Sequence, residues 1–147
     1  MFNHIICVCV GNICRSPMAE GYLKHRLQAM NSNIKVESAG VNALVDKEAV
    51  AEAQEVARNE GFDISGHKAR QLSNEIIADA DLILVMEDEQ KEFIERKFPH
   101  ARGRIFLVGQ WAGGFEIPDP YRQPLSSFEY AFGLIKKGCD EWLLKIT

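Results

Sequence analysis

The chain lacks most of the features that would place it outside the ordinary globular proteins. Its longest uninterrupted apolar run, residues 5–10, is six residues long, against the roughly 18 that a membrane helix needs, so no membrane insertion is expected. The opening Met1-Phe2-Asn3-His4 has no basic flank, and no small-residue cleavage site follows the run. The stretch reads as a first strand and not as a secretory signal. Neither sign of charge forms a long block. Seventeen basic residues against 21 acidic ones give a net charge of −4, which argues against a general affinity for nucleic acid or anionic membranes. There is no C-x-x-C pair and no pair of histidines at ligand spacing, since His4, His25, His67 and His100 are scattered; no metal site is expected. The four cysteines, at positions 7, 9, 14 and 139, place three within eight residues, which is poor spacing for a disulfide framework. Such usage points to a reducing compartment, hence the cytoplasm.

What is present is a chain of 147 residues, 46% hydrophobic and 26% charged, which reads as one domain over residues 1–147. A chain of this length buries roughly 70% of the surface its unfolded form exposes and needs no staple. Buried runs at 4–9, 34–39, 82–86 and 105–108 read as strands. Helical periodicity fills 17–30, 47–60 with Gly61 at its end, a stretch beginning with Asp88 as cap and stopped by Pro99, and 126–145; a shorter helix falls around 69–78. Alternation of this kind predicts an α/β three-layer sandwich, a four-stranded parallel doubly wound sheet with helices on both faces. The loops at the carboxyl ends of the strands then share one rim, where ligands bind in such sheets. Residues 109–124 hold three of the five prolines and three of the 11 glycines without periodicity, and a loop that long is usually functional.

The first strand runs directly into Cys9-Val10-Gly11-Asn12-Ile13-Cys14-Arg15-Ser16. At this composition a Cys-x5-Arg followed by Ser or Thr is expected by chance about 0.01 times. Ser16 is a good N-cap and Pro17 suits the first helical position, so the loop ends at a helix N-terminus with free N–H groups. Gly11 and Asn12 tolerate positive φ, which lets the backbone curl into an anion-binding nest. Arg15 supplies a planar fork for two phosphate oxygens. A thiol in that setting is expected as a thiolate, since helix N-termini and guanidinium groups lower cysteine pKa values from about 8.5 to about 3.5–7.5. Cys9 is therefore the candidate nucleophile, whereas Cys7 and Cys139 read as packing residues. A phosphate-ester leaving group as poor as a phenol benefits from a general acid. Asp119, between Pro118 and Pro120 and before Tyr121, is the candidate, although Pro-Asp-Pro taken alone also reads as a turn.

The loop motif, Glu37-Ser-Ala-Gly40, Ser65-Gly-His-Lys-Ala-Arg-Gln71 and Asp119-Pro-Tyr121 are collinear over nearly the whole chain. Together they resemble the low-molecular-weight protein tyrosine phosphatases, in particular the bacterial members paired with tyrosine autokinases of capsule and exopolysaccharide assembly. The resemblance implies metal-independent, cofactor-free hydrolysis of a phosphotyrosine protein, with phosphate or another oxyanion held in the loop. It implies Cys9 as the nucleophile that forms a phosphocysteine, Arg15 as the clamp and Asp119 as the acid and then the base. Ser16 would hydrogen-bond the sulfur, and Asn12, Ser38 and His67 would hold the loop in shape. Cys14 would form a reversible disulfide with Cys9 under oxidation. Ser38 also reads as a turn residue, His67 as a structural histidine and Cys14 as a packing residue.

The chain departs from the aromatic-walled members of that family at two positions. Leu44 stands where they carry an aromatic, and Arg122 where a second aromatic follows Asp-Pro-Tyr. Ile13, Leu44 and Tyr121 are thus expected to line a less aromatic cleft, with Arg122 a cation at its rim that favours acidic tails; ordinary loop variation is the other reading of both. Two further functions are weighed. Arsenate reduction needs relay cysteines, and none lies between Cys14 and Cys139. A regulatory protein that binds phosphotyrosine without turnover would have no use for Asp119.

Overall fold

The computed structural model describes residues 2–147. Four parallel strands, β1 (His4–Cys9), β2 (Lys35–Gly40), β3 (Leu82–Val85) and β4 (Ile105–Leu107), form one sheet in the order β2-β1-β3-β4. β1 and β3 are buried from both sides and are almost wholly apolar, with no alternation of polar residues, whereas the edge strand β2 keeps Lys35 exposed and Glu37 half-buried. Successive side chains instead feed two separate cores. Ile5, Cys7, Leu82 and Leu84 enter one, and Ile6, Val8, Ile83 and Val85 enter the other. The first core is covered by α1 (Arg15–Ala29), α2 (Ala51–Asn59) and α5 (Leu125–Ile146), the second by α3 (Asn74–Asp79) and α4 (Asp88–Lys97). The expected three-layer α/β sandwich is what forms. No helix among the described residues is long and apolar enough to cross a membrane.

The helix starts differ from those read in the sequence, and hydrogen bonding accompanies the larger shifts. α1 begins at Arg15, two residues early, with Cys14 at its cap position. Ser16 is not a cap, because its hydroxyl lies within the first turn and faces the Cys9 sulfur. α2 begins at Ala51 and not at Lys47. The backbone from 46 to 50 is engaged elsewhere: Asp46 N–H donates to Ala69, Lys47 C=O accepts from Ala69, and Val50 N–H donates to Ile13. The expected helix around 69–78 shortens to 74–79, since Gly40 N–H donates to Arg70 C=O and Leu72 N–H donates to Gly40 C=O, extending the sheet edge. Ser73 then caps α3 by accepting from Ile76 N–H. Glu87, not Asp88, occupies the cap position of α4, and the buried Gln90 reaches back to accept from the N–H groups of Met86 and Glu87. The other boundaries move by one residue at each affected end.

α5 locks the first face. Trp142 Nε1–H donates to Leu107 C=O at 3.0 Å, and the Tyr22 hydroxyl of α1 donates to Asp140. Gly138 brings α5 against the end of β4, where an added Cβ would stand 2.5 Å from the Val108 carbonyl oxygen and 2.8 Å from its Cγ1. Backbone cannot yield as a side-chain tip does, so Gly138→Ala is expected to destabilise the protein by about 1–3 kcal/mol. A lowered urea midpoint with unchanged m value is the check; a midpoint equal to that of the parent would show that α5 can shift freely.

Candidate active site

β1 lies between β2 and β3, so the chain leaves it at the point where the sheet order reverses, the usual ligand crevice of a doubly wound sheet. Residues 10–14 cross that crevice into α1. Five consecutive carbonyls of the loop point away from the crevice, each with a donor. Cys9 accepts from Val41, Val10 from Asn42, Gly11 from Leu44 and Ile13 from Val50, all through backbone N–H groups, while His67 Nε2 donates to Asn12 C=O at 2.6 Å. Among the described residues no N–H of residues 11–16 donates to a protein acceptor. With their carbonyls turned out and their N–H groups free, these residues form an anion-binding nest that continues into the positive end of α1.

The curl depends on Asn12, whose φ is 61°, a left-handed conformation that asparagine adopts more readily than most residues. Its buried side chain is fully engaged. Nδ2 donates to Ser16 Oγ at 2.7 Å and to Ser38 Oγ at 3.0 Å, and Oδ1 accepts from Arg70 N–H at 2.9 Å. Ser38 donates in turn to Glu20, which lies 4.0 Å from His67 Nδ1. Arg70 Nε donates to Ser38 C=O at 2.8 Å. Gly40 is required beside this network, because a Cβ there would stand 2.4 Å from Val10 O.

Cys9 Sγ lies 2.9 Å from Ser16 Oγ at the base of the nest. Arg15 is 1% exposed. Its Nη1 donates to Glu87 Oε1 at 2.7 Å and to Ile117 C=O at 2.8 Å, and its Nη2 lies 3.8 Å from Asp119 Oδ2. Arg15 Nε is buried without a protein acceptor, and a buried charged donor left in that state is a place for an anion's oxygen. Asp119 is exposed and accepts from Tyr121 N–H at 3.0 Å. Cys9, Val10, Gly11, Ile13, Cys14, Arg15, Leu44, Asp119 and Tyr121 all border one cleft of about 200 Å³. Arg122 is not among its walls; with φ at 64° it stacks its guanidinium 5.2 Å from the centre of the Tyr121 ring. A larger polar cavity, about 370 Å³, lies behind the loop support at Ser38, His67 and Arg70 and is lined by no cysteine.

Four participants were missed in the sequence. Glu87 comes two residues after the end of β3, so the shared-rim rule pointed to it. Glu20 stands one helical turn beyond Ser16 and on the same face. Arg70 lies inside the Ser65–Gln71 motif, although no role was assigned to it, and Asn42, which walls the cleft, carried no comparable signal.

The chain belongs to the low molecular weight phosphotyrosine protein phosphatases, whose family model matches residues 4–147. It is a protein tyrosine phosphatase similar to Etp of Escherichia coli K12, with 42% identity over 146 residues, 99% of this chain and 96% of Etp. Among solved structures, Vibrio vulnificus Wzb in complex with benzylphosphonate aligns with a TM-score of 0.94 and 43% identity, covering 99% of this chain and all of that one. Wzb of Escherichia coli K30 in complex with sulphate gives 0.94 and 39% over the whole of both chains.

The remaining cysteines differ from Cys9 in setting. Burial, followed by the neighbouring Cys9 and Asp119, pushes the Cys14 thiol up to about 12, and burial raises Cys7 and Cys139 as well. A raised pKa keeps a thiol protonated, and so unreactive, until the pH climbs through it. Iodoacetate at pH 7 is therefore expected to label Cys9 alone, which borders the open cleft beside the N-terminus of α1. Peptide mass mapping checks this, and comparable labelling of Cys7, Cys14 or Cys139 would contradict it.

Proposed function

We propose that the protein hydrolyses phosphotyrosine in two steps through a phosphocysteine. The observation that carries this reading is the buried Arg15 Nε without a protein acceptor, set beside Cys9 in a loop whose N–H groups are free. In the first step the Cys9 sulfur attacks phosphorus, the bond from phosphorus to the tyrosine oxygen breaks, and Asp119 gives its proton to the departing phenolate. In the second step Asp119 takes a proton from water as the water oxygen attacks phosphorus, and the S–P bond breaks to release phosphate. Arg15 and the loop N–H groups bind the non-bridging oxygens in both steps, where fixed donors cost no reorganisation as charge moves. Ser16 steadies the sulfur as it accepts and releases the phosphoryl group. Asn12, Ser38 and His67 hold the loop open, and Ile13, Leu44 and Tyr121 wall the aromatic ring of the substrate. Neither metal nor cofactor enters the scheme.

The natural substrate in this reading is a bacterial tyrosine autokinase of capsule or exopolysaccharide assembly, and the site of action is the cytoplasm. The similarity to Etp and to the Wzb proteins supports it. When a peroxide oxidises the Cys9 sulfur to a sulfenic acid, the sulfur of Cys14, which borders the same cleft, attacks it, water leaves, and the resulting disulfide shields the nucleophile. Arsenate reduction fits poorly, because Cys139 is wholly buried on α5. Binding without turnover leaves Asp119 beside the cleft without a role.

Hydrolysis of p-nitrophenyl phosphate without added metal is the first test. Cys9→Ser is expected to abolish it, and undiminished activity in that variant would overturn the scheme. Asp119→Asn is expected to lower kcat by about 10²–10⁴-fold on phosphotyrosine, the usual worth of a general acid. Cys9→Ser incubated with lysate of its source is expected to retain a tyrosine autokinase; retention of a different phosphoprotein would remove the proposed partner and leave the chemistry.

A further inference from the structure

The cleft has a neighbour. Val10, 39% exposed, borders the catalytic cleft on one side and, on the other, a groove of about 200 Å³ walled by Val41, Glu87, Glu89, Gln90 and Phe93. The floor of this groove is apolar, since Val41 and Phe93 are partly buried against the second core. Its rim is acidic. Glu89 lies exposed in the first turn of α4 and forms no ion pair among the described residues. Glu87 spends one carboxylate oxygen on Arg15 and on Gln90 while its side chain stays 33% exposed. Asp88 adds a further exposed carboxylate in the same turn. The Phe93 ring already holds an ammonium group, with Lys97 Nζ 5.7 Å from its centre. The opposite charge stands beyond Tyr121, another wall of the catalytic cleft. There Arg122 stacks on the ring and forms no ion pair among the described residues. The mouth is therefore polarised, acidic past Val10 and cationic past Tyr121.

An apolar floor under a carboxylate rim suits a long cationic side chain, whose methylene stem covers the floor while its head stays at the rim. We propose that this groove is a subsite for a lysine or arginine flanking the phosphotyrosine. The stem lies on Val10, Val41 and Phe93, and the head lies between Glu87 and Glu89. Acidic substrate residues then fall on the Tyr121 and Arg122 side. The proposal rests on the phosphatase reading above and narrows its substrates to phosphotyrosines that carry a basic residue on one flank. It also limits the effect of Arg122, which by itself would favour acidic tails on either flank.

The test uses phosphotyrosine peptides that differ only by lysine or glutamate at one of three positions on either side, with p-nitrophenyl phosphate as a substrate that has no flank. Wild-type protein is expected to show a kcat/KM roughly fivefold higher for lysine than for glutamate at one or two positions on a single flank, the size of an exposed ion pair. The preference is expected to shrink as sodium chloride is raised, because exposed charges are screened. Glu89→Lys, which touches none of the reacting groups, is expected to reverse the preference and leave p-nitrophenyl phosphate turnover unchanged. Phe93→Ala is expected to raise KM for the lysine peptide only. Equal kcat/KM for all flanks in the wild type, or a Glu89→Lys effect shared by every substrate, would overturn the subsite while leaving the phosphatase reading intact. Absence of turnover on every substrate would overturn the phosphatase reading, and the subsite with it.

Discussion

The structure turns on the outward pull on five carbonyls between Cys9 and Ile13. A backbone left to itself alternates the directions of its polar groups, and a short loop satisfies them with water. Here four N–H groups from residues 41–50 and the His67 ring take those carbonyls, so the opposite ends of the same peptides have only the crevice to face. The proposed anion site is made of groups that every residue has, held in a direction that few loops keep. The left-handed Asn12 is the point at which the chain must bend for this to happen, and its side chain is tied to Ser16, Ser38 and Arg70 so that the bend does not relax.

The same constraint explains why the supporting residues are spread along the chain. Ser38 and Gly40 end β2, and 41–50 continue from it past the loop. His67 and Arg70 lie on the segment that pairs with Gly40 at the sheet edge. Glu20 reaches the network from α1. On the other side, Glu87 from the end of β3 and the Ile117 carbonyl from the long last loop fix the Arg15 guanidinium. The charges at the site are thus local. A chain of net charge −4 offers a dianion one buried guanidinium, one helix N-terminus and a set of oriented N–H groups, and the surrounding acidic surface limits which anionic segments approach.

Tertiary demand also accounts for what the sequence reading misplaced. Ser16 and Pro17 carry strong signals for the start of a helix, yet the serine hydroxyl belongs to the sulfur of Cys9 and the helix winds two residues further back. Residues 47–50 and 69–72 have helix-compatible patterns, yet their backbones are claimed by Ala69, Ile13 and Gly40. Local propensity is worth tenths of a kcal/mol per residue, and a buried backbone group left unpaired costs more than that. The pairing therefore decides. Arg122 shows a milder limit, since nothing in Asp-Pro-Tyr-Arg indicates that the guanidinium would stack on the Tyr121 ring.

By itself the sequence determined the layers, the parallel sheet and the rim on which the loops meet, because these follow from hydrophobic periodicity, and one improbable string, Cys9 to Ser16, marked where on that rim to look. Only the tertiary structure decided which groups hold that string in its working shape. Glu87, Arg70 and Asn42 lie far from it in sequence, and hydrogen-bond partners at such separations leave no periodic trace. The reason is geometric: a pattern along the chain records what is buried, whereas the direction of an N–H group is set by whatever the fold brings to the carbonyl at the other end of its peptide.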